Sequence, residues 1–149
     1  MLALRKATKE DWDFLIELRR EAMRPHFERS GREYDDEAQG QRLLYKYACA
    51  EIVQYDGRDI GLLKVDRSER SWALIQIQLA PEFQCHGLGA ALLRQLLVEA
   101  TAQGATVQLS VLKANPAQRL YERLGFVVVE EKEHAFAMVY TPVSTGQHL

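Results

Sequence analysis

The sequence has few of the residues that mark a secreted, membrane-spanning or metal-binding protein. Only two cysteines, Cys49 and Cys85, occur among 149 residues, and their separation suits neither a disulfide framework nor a zinc site. No apolar run approaches the roughly 20 residues of a membrane span. The first six residues become charged too soon for a secretory signal. We therefore expect free thiols in a reducing compartment, which indicates the cytoplasm, with no membrane and no metal.

An excess of charge of one sign is also missing. The net charge is −2 and the sequence pI about 6.1, and no basic patch is interleaved with aromatic residues, so no attraction to nucleic acid is expected. What is present is an apolar fraction of 47%. A chain of this length can bury roughly two-thirds of its unfolded surface. We predict one domain, residues 1–141, followed by a flexible C-terminal tail, residues 142–149.

The most informative segment is a glycine-bearing turn between a strand and a helix. Residues 73–80 form an apolar strand that Pro81 stops, and leucines recur at four-residue spacing from Leu88, which predicts an amphipathic helix. Unpaired backbone N–H groups at such a helix start bind phosphate, and Gly87 and Gly89 would let a ligand approach the backbone. Neither a P-loop nor a dinucleotide fingerprint is present. A tight turn that serves only helix packing is the alternative.

A second marked segment follows about thirty residues later in the chain. Asn115 suits the N-cap of a short helix, Pro116 its first position, and Gly125 its left-handed C-terminal cap. Tyr121 lies on the apolar face of this helix. Without further context, an aromatic residue in that position is a core residue.

Together, the two segments resemble the GCN5-related N-acetyltransferase (GNAT) family over roughly residues 74–129. Gln84, Gly87 and Gly89 fit the Gln/Arg-x-x-Gly-x-Gly/Ala turn of that family. The pattern Asn-x-x-Ala-x-x-x-Tyr-x-x-x-Gly-Phe is matched by Asn115, Ala117 or Gln118, Tyr121, Gly125 and Phe126. Cys85 departs from the family, which usually has glycine there.

The resemblance implies an α/β fold, a single GNAT-like domain with a mixed central β-sheet flanked by helices in the order βααβββαβαββ. Periodicity and turn signals predict the same order. We expect the first helix, capped by Thr8, to end at Pro25, and the second to run from Asp36 to about Ala48. The predicted strands are residues 2–7, 51–55, 60–66, 72–80, 106–112, 126–131 and 135–140. In the family, the strands on either side of the long helix splay apart, which this sequence does not predict by itself.

The resemblance further implies acetyl-CoA as the co-substrate. Its pyrophosphate would lie on the backbone N–H groups of residues 86–90, beside Gln84. Its pantetheine arm would contact Asn115 and the backbone of Leu79, where an N–H would donate to the thioester oxygen. The cofactor-binding residues implied in this way are Leu79, Gln84, His86, Gly87, Leu88, Gly89, Ala90 and Asn115.

The resemblance makes Tyr121 the acid or hydrogen-bond donor at the departing thiolate. Because a phenol (pKa about 10) has no strong drive to protonate a thiolate (pKa about 8.5), a hydrogen bond is as good an assignment as full transfer. Many family members carry an acidic base on the central strand, where this chain has Gln76, which can order a water but not take its proton. Other base or acceptor-site candidates, each also interpretable as a solvated loop residue, are His26, Glu28, Glu33, Tyr34 and Asp35.

The predicted function is transfer of acetyl to a primary amine of a small molecule or peptide, within a ternary complex. Arg19, Arg20 and Arg24 would either recognise a carboxylate on the acceptor or pair with nearby glutamates. A longer acyl group, a non-catalytic CoA-binding sensor or regulatory module, and a plain interaction domain are the alternatives. The acceptor is not identified by the sequence, and a homodimer through the C-terminal strands is the expectation from the family.

Overall fold

The computed structural model of the chain describes residues 1–29, 31–113 and 115–142. The strands are β1 (Leu2–Lys6), β2 (Ala50–Tyr55), β3 (Arg58–Asp66), β4 (Ser71–Leu79), β5 (Thr106–Leu112), β6 (Val127–Glu131) and β7 (Ala135–Tyr140). The helices are α1 (Trp12–Arg29), α2 (Asp36–Leu44), α3 (Leu88–Ala102) and α4 (Ala117–Arg123). The predicted order βααβββαβαββ is confirmed. Of the predicted tail, residues 142–149, only Pro142 is among the described residues.

The strands form one mixed sheet in the order β1-β2-β3-β4-β5-β7-β6. Neighbouring strands are antiparallel except β4 and β5, which are parallel and pair only from Ser71–Thr106 to Ala73–Gln108. Beyond that point β4 continues to Leu79, still paired with β3, and β5 continues along β7. The two strands therefore separate in the middle of the sheet. We call the opening between them the β4–β5 gap.

A β-bulge in β4 decides which side chains face which helices. Lys64 of β3 lies opposite Gln76. The next β3 residue, Val65, lies opposite Leu74, which leaves Ile75 as the extra residue. Because side chains alternate between the two faces of a strand, the extra residue reverses the alternation. Leu74 accordingly lies in the core beneath α3, whereas Gln76 faces the side of α1 and α2.

Each face of the sheet is covered by apolar helix residues. The side beneath α3 buries five helix residues, namely Leu92, Leu93, Leu96, Leu97 and Ala100. The side beneath α1 and α2 buries Leu15, Leu18 and Leu43 against Ile52 and Leu62. Each such buried leucine contributes about 1.5–3 kcal/mol relative to an exposed one. The two faces together hold the sheet despite the gap.

The first two helices depart from the predicted boundaries. Thr8 is the N-cap of a short 3-10 turn that leads into α1, and α1 does not end at Pro25 but contains it. Proline cannot donate to the carbonyl of Glu21 four residues earlier, but both residues are exposed, so water can hydrate that carbonyl. α2 ends at Leu44 rather than near Ala48.

The close contact between β3 and β4 requires glycine at one position. Gly61 lies opposite Leu79 at the end of β4. A Cβ at Gly61 would collide with the carbonyl oxygen of Gln78 and lie 2.7 Å from Cδ2 of Leu79. Gly40, within α2, has no such neighbour among the described residues within 4 Å.

We predict opposite effects of alanine at these two glycines. Gly61→Ala should lower the free energy of unfolding by about 1–3 kcal/mol because the end of β4 must move. Gly40→Ala should raise it by up to about 1 kcal/mol because alanine favours a helix. Urea denaturation of both variants measures the difference. Equal stabilities would contradict the close approach of the two strands.

Candidate active site

The start of α3 presents backbone donors to solvent. Gly87 is its N-cap, with φ +78°, and the Gly87 carbonyl accepts from the N–H of Ala91 at 3.0 Å. The N–H groups of Leu88, Gly89 and Ala90 belong to the first turn of α3, and N–H groups in the first turn have no acceptor within an α-helix. Within the described residues, no side chain caps this end. These donors stand at the positive end of a fifteen-residue helix, an arrangement that binds anions.

Gln84 holds this turn against the end of β4. Its Nε2 donates to the carbonyl oxygen of Leu79 at 2.9 Å. The neighbouring N–H of Ala80 donates to the carbonyl of Ile60 on β3 at 2.8 Å. Because successive N–H groups of a strand point to opposite edges, the N–H of Leu79 points towards the β4–β5 gap. A backbone donor is therefore directed at the gap, a short distance from the start of α3.

Gly89 is a glycine that the protein fold itself does not need. A Cβ at this position would meet only Cδ1 of Leu79, at 3.8 Å, among the described residues, which is ordinary van der Waals contact. Its backbone does not lie in the left-handed region. The missing side chain therefore leaves open space beside the donors of α3.

The second motif forms a capped helix as expected, but the helix begins one residue later than predicted. The Asn115 side chain accepts from the N–H of Ala117 at 2.9 Å, and Pro116 takes the N-cap position. At the other end, the N–H of Phe126 donates to the carbonyl of Tyr121 at 3.0 Å, and that of Gly125 to Glu122 at 3.1 Å. This pair of hydrogen bonds forms a Schellman motif.

The Gly-Phe pair of the motif thereby orients Tyr121. The Tyr121 and Phe126 rings pack edge to face with their centroids 5.6 Å apart. Tyr121 is 7% exposed and belongs to the core cluster that also contains Leu79 and Val111. No described residue hydrogen-bonds to its hydroxyl group. The residues of the sequence motif thus fix the position of the Tyr121 ring.

Burial raises the pKa of Tyr121 to about 12. The phenol therefore stays protonated throughout the neutral range. Passing its proton to a thiolate with a pKa of about 8.5 would cost about 5 kcal/mol. Of the two roles that the resemblance allows, hydrogen-bond donation is the one that this environment favours.

A buried polar layer lies between the sheet and the helices α1 and α2. The buried polar and charged residues of the described chain are Arg19, Gln39, Lys64, Gln76 and Gln78. Arg19 donates from Nε to Oε1 of Gln39 at 2.9 Å. The Oε1 atoms of Gln76 and Gln78 are buried, and no described residue donates to them. This layer interrupts an otherwise apolar interior.

Lys64 in this layer is a residue that sequence reasoning missed. It is fully buried, and its Nζ donates to the carbonyls of Arg42, Leu43 and Tyr45 at 3.2, 2.7 and 2.6 Å. Burial, together with the positive charge of Arg19, lowers the pKa of Lys64 to about 8. A lysine within the apolar run of β3 was the available signal. Its ammonium group ties the end of α2 to the sheet.

A cavity of about 420 Å³ opens onto the polar layer. Its lining residues are Arg19, Gln41, Arg42, Tyr45, Ile75 and Gln76. The pairing of β4 with β5 ends at Ala73, and Ile75 and Gln76 lie two and three residues further along β4. The cavity therefore adjoins the β4–β5 gap from the side of α1 and α2.

A smaller cavity of about 290 Å³ lies beside the turn that precedes α3. It is lined by Tyr55, Glu82, Phe83, His86 and Leu88. Two of the residues that the resemblance assigns to the cofactor, His86 and Leu88, thus border open space.

The remaining base candidates lie apart from the large cavity, whose lining contains none of them. His26 is in the last turn of α1, where its Nδ1 contacts Arg29, and burial together with that arginine lowers the pKa of His26. Glu28 and Glu33 are exposed. Asp35 accepts from the N–H of Glu37 at 3.0 Å and so caps α2.

Tyr34, the last of these candidates, is half-buried between α1 and α2. Its ring packs edge-on against Phe27 at 5.7 Å and lies under the guanidinium of Arg24 at 5.4 Å. Burial raises the pKa of Tyr34, and the positive charge of Arg19 partly opposes this rise. Of the predicted base candidates, only Gln76 lines the large cavity.

The described residues contain neither a candidate metal site nor a membrane-spanning helix. In residues 1–29, 31–113 and 115–142, no group of three histidine, cysteine or acidic side chains is placed to hold a metal ion. No helix in these ranges is both long and apolar enough to cross a membrane. Cys49 and Cys85 are both free thiols.

A split sheet with an anion-binding helix start at the end of its gap suits an enzyme that holds a long, phosphate-bearing co-substrate. Comparison with known proteins agrees with this class. Residues 12–126 match the model of the acetyltransferase (GNAT) family. The chain belongs to this family and is an acyltransferase, an acetyl-CoA-dependent N-acetyltransferase.

Solved structures share the fold. The PaiA N-acetyltransferase of Thermoplasma acidophilum, in complex with coenzyme A, has a TM-score of 0.73 and 21% identity, over 95% of this chain and 99% of that one. The ribosomal-protein-S18-alanine N-acetyltransferase of Escherichia coli has a TM-score of 0.70 and 20% identity, over 100% and 99%. A spermidine N-acetyltransferase SpeG chimera of Vibrio cholerae and hSSAT has a TM-score of 0.65 and 21% identity, over 94% of this chain and 95% of that one. Curated protein sequences contain no match to the chain.

In the turn before α3, a residue other than glycine has a left-handed backbone conformation. Cys85 has φ +63° and is exposed. A left-handed backbone costs a residue with a side chain roughly 1–2 kcal/mol. Replacement by glycine would remove this cost, but glycine loses more backbone entropy on folding, about 0.5–1 kcal/mol, which offsets part of the gain. This conformation explains why glycine suits the position.

We predict that Cys85→Gly raises the melting temperature by up to about 3 °C, whereas Cys85→Val lowers it because a β-branched residue fits this region poorly. Thermal unfolding followed by circular dichroism provides the comparison. Cys85→Ser is the control and should melt with the original protein. Equal melting temperatures for the glycine and valine variants would contradict the left-handed turn.

Proposed function

We propose that the protein transfers the acetyl group of acetyl-CoA directly to a primary amine of a small molecule or peptide within a ternary complex. The observation that carries this proposal is the β4–β5 gap, which the start of α3 reaches at one end and the large cavity adjoins from the opposite side. Such a gap can admit a donor and an acceptor from different directions. The coenzyme A complex of the PaiA structure supports the same donor.

The residues around the gap fit acetyl-CoA. The N–H groups of Leu88, Gly89 and Ala90 would bind the pyrophosphate, and Gln84 would keep the turn in place. Acetyl-CoA supplies an activated thioester. The N–H of Leu79 would donate to the thioester oxygen, and a fixed donor of this kind contributes about 2.7–4 kcal/mol to lowering a barrier. The hydroxyl group of Tyr121 would donate a hydrogen bond to the departing sulfur.

The proton on the acceptor amine sets the remaining requirement. Gln76 replaces an acidic base on β4, and its buried Oε1 can accept from an amine or a water but cannot take a proton. A lysine-like amine (pKa about 10.4) is neutral roughly once in a few thousand molecules at pH 7, whereas an α-amino group is neutral about a tenth of the time. An acceptor with an amine of low pKa therefore suits this site.

The missing carboxylate on β4 was the ground for the alternative, a non-catalytic CoA-binding sensor or regulatory module, which the family match does not support. We further propose that residues 1–141 form one domain, that the protein is cytoplasmic and that it forms a homodimer. β6 lies at the edge of the sheet and exposes Val127, Val128 and Val129. That exposed apolar strand supports a dimer through the C-terminal strands.

The test of the function is CoA release from acetyl-CoA, followed with a thiol reagent across amino acids, polyamines, aminoglycosides and short peptides. A control without acceptor corrects for hydrolysis. Turnover with one class of amine would support the proposal. Tight acetyl-CoA binding without turnover on any of these amines would contradict the proposed class of acceptor.

We predict that substitutions of Gly89 separate folding from cofactor binding. Gly89→Ala should keep or slightly raise stability, because its Cβ has room beside Leu79. Gly89→Val should weaken acetyl-CoA binding by about a hundredfold or more, since its side chain fills the space beside the helix donors. Calorimetric titration with acetyl-CoA, together with melting curves, measures both. A folded valine variant with unchanged affinity would remove the pyrophosphate assignment.

We predict that Tyr121→Phe lowers kcat by about 10- to 100-fold, the loss expected for one hydrogen bond to a charged group. Acetyl-CoA affinity should not change, because the ring and its packing remain. Steady-state kinetics and calorimetry measure the two quantities. Tyr140→Phe is the matched control, since its hydroxyl group pairs with Thr101 at 3.0 Å.

The pH profile checks the same assignment. A phenol donor is active while protonated, so a pKa of about 12 leaves its contribution intact below that pH. The rate should therefore rise with amine deprotonation and show no decline due to Tyr121 up to about pH 10. Unchanged kcat in Tyr121→Phe, or an alkaline decline that this variant abolishes, would show that the assignment is wrong.

A further inference from the structure

We propose that the acceptor amine carries an oxyanion, a carboxylate or a phosphate, which binds to Arg19 in the cavity between α1, α2 and β4. The inference rests on the proposed function, because it names the chemical class of acceptor that the same site takes. Arg42, which is exposed, stands at the rim of this cavity and adds a second positive charge.

The first argument is the charge of the buried polar layer. Arg19 is 4% exposed and Lys64 fully buried. Arg19 bonds to the neutral side chain of Gln39, and Lys64 to backbone carbonyls. The titratable groups that act on Arg19 are Tyr34 and Arg42, and those that act on Lys64 are Arg19 and Cys49. None of these groups is a carboxylate. Buried charges are normally paired, so the layer has two cations and lacks an anion.

The second argument is the direction in which Arg19 can still donate. Within the described residues, its guanidinium uses only Nε, towards Gln39. Burial and the charge of Arg42 lower the pKa of Arg19 to about 10, so the group is charged at neutral pH. Its two remaining nitrogens form the planar fork that binds both oxygens of a carboxylate or phosphate. Arg19 lines the cavity of about 420 Å³.

The third argument comes from the opposite wall. Gln76 lines the cavity, and its buried Oε1 has no donor among the described residues. A carboxamide oxygen accepts from an amine N–H. The cavity is therefore lined by Arg19 of α1 and by Gln76 of β4, beside the β4–β5 gap. A molecule with an amine and an oxyanion satisfies both walls, whereas a polyamine would bring further positive charge to Arg19.

The neighbouring arginines do not share these properties. Arg20 pairs with Glu17 at 2.9 Å and with Asp36 at 3.2 Å. Arg24 lies over the ring of Tyr34. Of the three arginines that the sequence offered for carboxylate recognition, Arg19 is the one that lines the cavity.

Kinetics provide the first test. L-amino acids are compared with their carboxamides, phosphoethanolamine with ethanolamine, and spermidine is included as a polycation. We expect kcat/KM to favour the anionic member of one pair by about tenfold or more, as for a charge-assisted contact. The pair that shows the preference distinguishes a carboxylate from a phosphate. Arg19→Gln should abolish it, whereas Arg20→Gln, which removes the same charge one residue away, should retain it.

Binding provides a second test that does not depend on turnover. N-acetyl-L-amino acids and N-acetylphosphoethanolamine carry the oxyanion without a reactive amine. Their affinity in the presence of saturating CoA is compared by calorimetry with that of the N-acetylamino-acid amides and N-acetylethanolamine. Selective binding of an anionic member that Arg19→Gln loses would support the inference. If no amine were then acetylated, the anion site would stand and the proposed function would fail.

Equal binding of anionic and neutral members, no binding of either, or selectivity that survives in Arg19→Gln would overturn the inference, even if the enzyme acetylates amines. Melting curves establish whether Arg19→Gln folds. If it does not, Arg42→Gln at the exposed rim replaces it and should lower the anion preference about two- to fivefold. An unchanged preference in that folded variant would overturn the inference equally.

Discussion

The separation of β4 from β5 after Ala73 is the constraint on which the rest of the structure depends. Both strands remain bonded to their outer neighbours, β3 and β7, so the sheet is held from the sides while its centre opens. The opening leaves the facing edges of β4 and β5 without a neighbouring strand, and the N–H of Leu79 lies on one of these edges. It also ends where α3 begins, so that the first-turn donors and the strand edge can serve one extended ligand.

The bulge at Ile75 has a second consequence for the same strand. By reversing the alternation of side chains, it sends Gln76 and Gln78 towards α1 and α2, where Lys64 and Arg19 are also buried. A polar layer thus lies on the α1 and α2 side of the gap, opposite the apolar core beneath α3. Lys64 holds the end of α2 to β3 by its hydrogen bonds to three carbonyls, which fixes this wall of the cavity to the sheet.

Several features could be predicted because they depend on local chemistry. The order of elements follows from hydrophobic periodicity, and the left-handed turn at Gly125 from the need of a short helix for a C-terminal cap. Local rules failed where solvent or distant groups decide. Pro25 did not end α1, since its lost hydrogen bond lies on an exposed face, and α2 ended early where a lysine from β3 reaches its carbonyls.

The sequence by itself determined the family, the seven strands and four helices of the described chain, and the two motifs, because each is written in contiguous residues. Only the tertiary structure decided that β4 and β5 separate, that Gln84 binds the end of β4, and that Tyr121 lies where burial raises its pKa. It also placed Arg19, Lys64 and Gln76 in one layer with no acidic partner from the described residues. The physical reason is that pairing, burial and charge compensation depend on residues far apart in the chain, which only packing brings together.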